Sequence, residues 1–148
     1  DMPQRGPLDV VESRVRNLLI DQADLRERAE RTRRKEEDAR KALLLAVVGV
    51  KDAAEAFLAD AQAKAPDAAP TAHLGDVVRL MARLLAANQV EEASALGREP
   101  DARWHRIVET VVDEATPDGR VTREFVKAYL WMGELLRGGQ VAVARRGE

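Results

Sequence analysis

Histidine and cysteine carry much of the chemistry of protein sites, and this chain of 148 residues has two histidines and no cysteine. The lack of cysteine excludes a disulfide framework, a thiol nucleophile and a zinc site built from thiolates. His105 has no Ser or paired carboxylate beside it in sequence, and His73 stands alone at a predicted helix start. Neither spacing indicates catalysis or metal binding. We therefore predict no catalytic, cofactor-binding or metal-binding residues, and no cofactor.

The other candidate chemical groups have simpler interpretations. Gly138-Gly139 lacks the Lys-Ser/Thr that follows the glycines of a phosphate-binding loop. Asp101 is interpreted as a turn or capping carboxylate. The remaining carboxylates lie three or four residues from basic side chains on predicted helices, which is typical of solvated ion pairs. The chain is thus predicted not to be an enzyme.

Charge argues against a dedicated nucleic-acid binder. Lys and Arg total 24 against 26 Asp and Glu, giving a formal net charge of -2. A nucleic-acid-binding domain normally carries a basic excess on one face. The basic run Arg31 to Lys35 is predicted to be a solvated face paired with nearby glutamates. A partner surface is the alternative, and DNA binding through this run would show strong salt dependence.

The sequence also predicts no membrane association and a cytoplasmic location. The longest apolar run, Ala42 to Val50, is far shorter than the 18 or so residues of a membrane span. The first apolar cluster is interrupted by Arg14 and Arg16, and no basic segment precedes it, so no signal peptide is expected.

The elements that must position any site begin with a long helix. Residues 1–7 are predicted to be a disordered start, and residues 8–65 a coiled-coil helix. Apolar side chains recur there at alternating spacings of three and four, which is the heptad pattern of a coiled coil. Such a helix, roughly 85 Å long, exceeds the size of a compact domain of this length, so we expect a homodimer. We call these heptad positions the seam, and its predicted dimerisation residues are Val11, Val15, Leu18, Leu25, Leu43, Val47, Val50 and Phe57.

Residues 66–97 are predicted to hold a linker and a second amphipathic helix. Pro66 and Pro70 lie in the linker, Ala65 to Ala72, and the helix opens at Thr71 or His73 and ends near Ser94 to Gly97. Its predicted dimerisation residues are Val77, Met81 and Leu84. Two such helices per chain make a four-helix bundle in a dimer.

The sequence pattern changes in residues 98–148 and predicts a small, mainly-β domain there. Strands are expected at Ile107 to Asp113, Val121 to Trp131 and Leu135 to Ala144, with a turn at Pro117-Asp118-Gly119. Four of the five aromatic residues lie here. We predict that Phe125 and Tyr129 fill the core, and leave Trp131 open between core and surface. The predicted fold class is α+β.

In this order of elements the sequence resembles the GrpE family, nucleotide exchange factors of DnaK-type chaperones. The resemblance runs from about Leu25 to Arg145. It rests on Asp101 with His105, on the turn at Pro117, and on Lys127-Ala128-Tyr129, which stands for the family's Lys-Gly-Tyr. The last residues of the match follow this motif in the family's order without a gap. The remaining matches are Val47 to Val50 with Asp52 in the long helix, and Gly133, Arg137, Val141, Val143, Ala144 and Arg145.

The resemblance implies a parallel dimer that binds a chaperone ATPase domain, with His105 in a structural role. The implied chaperone contacts are Trp131, Met132, Glu134, Leu136, Arg137 and Arg34. Three departures stand out: the family's Asn-Gly-Arg reads Met132-Gly133-Glu134, its Pro-Ala or Ala-Ala reads Gly138-Gly139 with Gln140 for the following Met, and His73 replaces a glycine. Two functions remain open, an adenine-nucleotide exchange factor and a dimeric coiled-coil scaffold without exchange activity.

Overall fold

A helix of 58 residues, α1, runs from Pro7 to Lys64 in the computed structural model, which describes residues 6–147. Proline suits the first turn of a helix because its missing N–H has no partner there. Asp9 accepts a hydrogen bond from the Gly6 N–H at 3.2 Å and caps the start. The predicted start at Leu8 is therefore one residue late. Most of the predicted disordered start, residues 1–5, lies outside the described residues.

The chain divides into two units, Asp1–Ala42 and Leu43–Glu148, and each is described by itself. In the described part of the first unit, nearly all side chains of α1 are exposed. Acidic and basic residues one turn apart form ion pairs, such as Arg28 with Asp24 at 3.1 Å and Arg31 with Glu27 at 3.1 Å. Such exposed pairs contribute little stability individually.

In the second unit, helix α2 spans Ala69–Ala87 and starts earlier than predicted. Pro70 lies in its first turn, where it does not interrupt hydrogen bonding. The Thr71 hydroxyl donates to the carbonyl of Ala65 at 2.8 Å and fixes the short connection from α1. The predicted linker, Ala65 to Ala72, is accordingly reduced to a few residues.

Helix α2 also ends earlier than the predicted Ser94 to Gly97. The side-chain amide of Asn88 donates to the Leu84 carbonyl at 2.8 Å, and Gln89 adopts a left-handed φ of 59°. A left-handed residue ends the helical hydrogen-bonding pattern. The chain then forms a strand that the sequence did not predict, β1, at Val90–Glu92. Strand structure thus begins before the predicted domain boundary at residue 98.

Five further strands follow: β2 at His105–Val112, β3 at Val121–Val126, β4 at Tyr129–Trp131, β5 at Glu134–Arg137 and β6 at Gly139–Arg145. The first predicted strand is thus observed with shifted ends. Each of the other two predicted strands is instead a pair of shorter strands, divided at Lys127-Ala128 and at Gly138. The predicted turn at Pro117 is confirmed, because the Arg120 N–H donates to its carbonyl at 3.2 Å and Gly119 has a φ of 80°.

The strands form two three-stranded sheets. One has the order β1-β4-β5 and is antiparallel throughout. The other has the order β2-β6-β3, with β2 parallel and β3 antiparallel to β6. The long helix, the second helix and the small strand region confirm the predicted α+β fold.

Two clusters of apolar side chains hold the second unit together. The larger joins α1, α2 and the first sheet through Leu44, Val48, Leu85, Val90, Tyr129 and Leu136. The smaller lies on the second sheet and comprises Ala95, Val121, Val141 and Val143. Tyr129 is a core residue as predicted, but the prediction for Phe125 is wrong. Phe125 is 40% exposed, and the Arg123 guanidinium stacks on its ring 4.9 Å from the centroid.

Candidate functional site

The hairpin between β4 and β5 carries the residues predicted to contact a partner. Trp131 pairs with Glu134, and the two residues between them form the turn. Met132 has a φ of 54° and Gly133 a φ of 80°, the backbone of a two-residue type I′ turn. We call Met132 and Gly133 the hairpin tip. The Met132 N–H donates to the Gln89 carbonyl at 2.9 Å, which ties the tip to the residue before β1.

The predicted partner-binding residues fall into different environments. Met132 is 69% exposed and Glu134 is exposed beside it. Trp131 is half-buried and packs against the larger core cluster. Leu136 lies within that cluster and is only 6% exposed, so its side chain is not presented to a partner. Arg137 is occupied by an ion pair with Asp52 on α1.

An ion-pair network fixes the base of this hairpin to α1. We use the term for Lys51 and Glu55 on α1 together with Glu92, Lys127 and Tyr129 from the strand region. Lys51 is only 4% exposed and donates to the Tyr129 hydroxyl at 2.8 Å and to Glu55. Lys127 lies 2.6 Å from Glu55 and 3.2 Å from Glu92. Each buried charge therefore faces an opposite charge, as burial requires.

Arg137 forms a second connection beside the network. Its Nη1 pairs with Asp52, and its Nη2 lies 3.3 Å from the second carboxylate oxygen of the same residue. The same guanidinium donates to the Lys127 carbonyl at 2.8 Å and 3.1 Å. A planar guanidinium that bridges a carboxylate and a carbonyl has little freedom to turn toward a partner. Arg137 and Lys127 thus position the hairpin on the helix.

Lys51 and Glu55 keep their charges over a wide pH range. Burial alone lowers the pKa of Lys51, but hydrogen bonds to Glu55 and Tyr129 outweigh it and raise the pKa above 10.5. Burial likewise opposes ionisation of Glu55, yet hydrogen bonds from Lys127 and Lys51 bring its pKa below 4.5. Burial raises the pKa of the Tyr129 hydroxyl. At neutral pH both lysines are cations and Glu55 is an anion.

His105 is held at both ring nitrogens and is 8% exposed. Its Nδ1 accepts the Asp101 N–H at 3.1 Å, so Nε2 carries the hydrogen and donates to the Ala93 carbonyl at 2.8 Å. Asp101 accepts the Arg103 N–H at 3.0 Å and pairs with its side chain, which holds the pKa of Asp101 down at about 2. Both residues stabilise the loop before β2, as the sequence interpretation proposed.

The basic run on α1 is a solvated face. Arg31, Arg33 and Arg34 pair with glutamates one turn away at 3.1 to 3.9 Å, and the Arg34 side chain is 74% exposed. The run has the exposed ion pairs that the solvated-face interpretation expects. Nowhere within residues 6–147 do three His, Asp or Glu side chains gather as a group that would hold a metal ion. Over the same residues no helix is long and apolar enough to cross a membrane.

Sequence reasoning missed three members of the ion-pair network. They are Lys51, Glu55 and Glu92. The sequence indicates only ordinary surface charges at all three positions, because charged residues are abundant on predicted helices. A signal was present, since Lys51 follows directly on the apolar stretch Leu43 to Val50 and has Glu55 one turn later. A lysine that continues a core-facing stretch is a candidate for a buried ion pair.

Comparison with known families agrees with this geometry. A family model described as GrpE matches residues 8–145, which is nearly the whole chain and includes both helices and all six strands. The chain belongs to the GrpE family. Members of the GrpE family are co-chaperones that serve as nucleotide exchange factors for DnaK-type chaperones, and they are not catalytic enzymes. A search among curated proteins found no match.

Membership of the GrpE family gives the motif residues a structural meaning. The family's Lys-Gly-Tyr is Lys127-Ala128-Tyr129, and both of its polar side chains belong to the ion-pair network. Asp52 and Arg137, two other motif residues, pair with each other. In this GrpE-family chain the motif thus fastens the strand region to α1, and one of the departures, Met132, lies at the exposed hairpin tip.

Proposed function

We propose that this chain is an adenine-nucleotide exchange factor that binds the ATPase domain of a DnaK-type chaperone as a homodimer and promotes ADP release. The family match over residues 8–145 carries the proposal, because it spans the helices, the hairpin and the residues that join them. No bond is made or broken by the chain itself. We also propose a cytoplasmic location, which family membership supports.

The homodimer is supported by the exposure of the seam. Val11, Val15, Leu18 and Leu25 are between 50% and 64% exposed in the single chain. Leu43, Val50 and Phe57 are 60% to 69% exposed, and Val77 and Leu84 on α2 are about half exposed. Val47 and Met81 are half-buried, and Val47 packs on the larger core cluster. Apolar side chains repeated at heptad spacing are stabilised when a second helix covers them.

The chaperone contact is proposed at the exposed part of the hairpin. Met132 and Glu134 form its centre, with the half-buried Trp131 beneath them. We leave out Leu136 and Arg137, whose side chains serve the core and the pair with Asp52. Arg34 is proposed as a second contact, since its guanidinium is exposed although it pairs with Glu30.

The mechanism is a choice between chaperone conformations. The dimer binds the open, nucleotide-poor ATPase domain more tightly than the closed, ADP-bound one. By linkage the same difference in affinity weakens ADP binding. ATP binding later expels the factor.

Release of labelled ADP from the cognate chaperone tests this function. We expect saturating dimer to accelerate release, whereas no acceleration would refute the proposal. Binding to the chaperone without faster release would support the scaffold function instead. A parallel assay with the seam variant Leu18→Asn shows whether the dimer is the active species.

A further inference from the structure

The backbone of Met132 is unusual for its residue type. Residues with a φ near 54° are in the left-handed region, which glycine and asparagine adopt readily and larger side chains do not. A type I′ turn therefore favours asparagine at this position. The hairpin has methionine there, and so it folds with a conformational cost that a polar residue of the usual type would avoid.

Within residues 6–147, burial of the Met132 side chain offsets little of that cost. The Met132 side chain is 69% exposed, so its burial within the chain is slight. The backbone cannot relax either, because the Met132 N–H is bonded to Gln89 and Trp131 packs against the core cluster. The tip is a rigid support that holds an apolar side chain out in water.

The outer face of the hairpin carries two leucines and one glutamate. Glu91, Leu130 and Leu135 lie in one row across the three strands, and paired residues of a sheet share a face. Leu135 is 45% exposed on this row. It also lines a groove of about 210 Å³ with Trp104, Arg106 and Gly138.

Charge on this surface is divided along the hairpin. Near the tip this face carries the exposed carboxylate of Glu91, and the exposed carboxylate of Glu134 lies beside the tip on the opposite face, where Glu134 pairs with Trp131. Arg103 and Arg106 line the groove at the other end, and the Arg103 guanidinium pairs with Asp101. A partner that receives Met132 must therefore be basic around its apolar pocket, since complementary charge steers and selects partners.

We propose that Met132 is the anchor of the chaperone contact, and that it inserts into an apolar pocket rimmed by Lys or Arg on the ATPase domain. Glu134 selects that partner by facing its basic rim. The inference rests on the proposed function and adds the chemistry of the partner surface. It explains why the turn holds methionine: the side chain is stabilised only in the complex.

The variant Met132→Asn separates this role from a structural one. Asparagine suits the left-handed turn, so the melting temperature of the variant rises. Its affinity for the nucleotide-free ATPase domain, measured by calorimetry on the full chain, falls about tenfold or more, as for the loss of a hot-spot side chain. The control Val112→Thr alters an exposed apolar residue on the other sheet and leaves affinity unchanged.

Unchanged or tighter binding by Met132→Asn overturns the inference, even where the unaltered chain accelerates ADP release and the proposed function stands. If the unaltered chain does not bind the ATPase domain, both fall. Glu134→Arg tests the basic rim independently. We expect slower association that recovers at high salt, whereas tighter binding would mean an acidic rim and refute the selection.

Discussion

Replacing Gly139 by alanine tests how the last strand packs against the hairpin base. A Cβ at this position would lie 3.1 Å from the Cβ and the N of Ala128 and 3.1 Å from Cδ2 of His105. Carbon atoms in good contact are about 3.5–4.0 Å apart. Neither neighbour moves freely, because the Ala128 carbonyl accepts the Ala93 N–H at 2.9 Å and His105 is held at both ring nitrogens.

The structure sets the size of the effect. Adding a carbon atom to a packed interior costs about 1–3 kcal/mol, and we expect Gly139→Ala to fall in this range. The GrpE-family pattern has glycine in place of Ala128 and alanine in place of Gly139. This chain therefore has the methyl group at position 128, whereas the family pattern has it at position 139. Ala128→Gly alone loses about 0.5–1 kcal/mol through added chain flexibility. The double variant regains part of the loss, because removing the Ala128 Cβ relieves one of the three close contacts of the new methyl group.

Urea unfolding followed by the fluorescence of Trp104 and Trp131 is the assay, since both tryptophans lie in the strand region. Free energies of unfolding for the four chains complete a double-mutant cycle. We expect the double variant to be more stable than Gly139→Ala. If the two substitutions are simply additive, so that the double variant is the least stable of the four, the account of this contact is wrong.

Four further predictions concern the network, the seam and the helices. Lys51→Met leaves buried partners without their cation and destabilises the chain by about 1–3 kcal/mol in urea, whereas Lys64→Met, at an exposed pair, costs at most about 0.5 kcal/mol. The pKa of Glu55 is lowered on folding, so its stabilisation is present above pH 4.5 and is lost as pH falls through the folded value. Glu55→Gln therefore shows a smaller loss of stability between neutral and acid pH than the unaltered chain, and an equal loss contradicts this. Leu18→Asn on the seam weakens the dimer in sedimentation equilibrium, and Ile20→Asn on the opposite face does not. On heating, circular dichroism should show the helices unfolding before the strand region. A single sharp transition would contradict this prediction.

Elements with strong local signals were predictable from the sequence. The heptad pattern located α1 to within a residue at each end, and the turn at Pro117 follows from a proline and a glycine in their preferred positions. The GrpE-family resemblance added the order of helices and strands. These features depend on neighbours along the chain, which a sequence displays directly.

Elements that depend on distant partners were not predictable. Strand β1 has only three residues, and it forms because Val90 pairs with Trp131 on β4. The sequence does not display that pairing, so the helix predicted from the amphipathic pattern of α2 included these residues. The parallel pairing of β2 with β6 is equally non-local. Of the candidate contact residues, Met132 and Glu134 proved exposed, whereas Leu136 lies on the face of β5 that packs into the larger core cluster.

The affinity of the chain for the ATPase domain, measured with and without ADP, tests the central claim most directly. If the chain promotes exchange by preferring the open conformation, ADP lowers the affinity of the ATPase domain for the chain. The chain then lowers the affinity of the domain for ADP by the same factor, because linkage is reciprocal. Equal affinity for the ADP-bound and nucleotide-free domains would contradict the account, however tightly the two proteins bind.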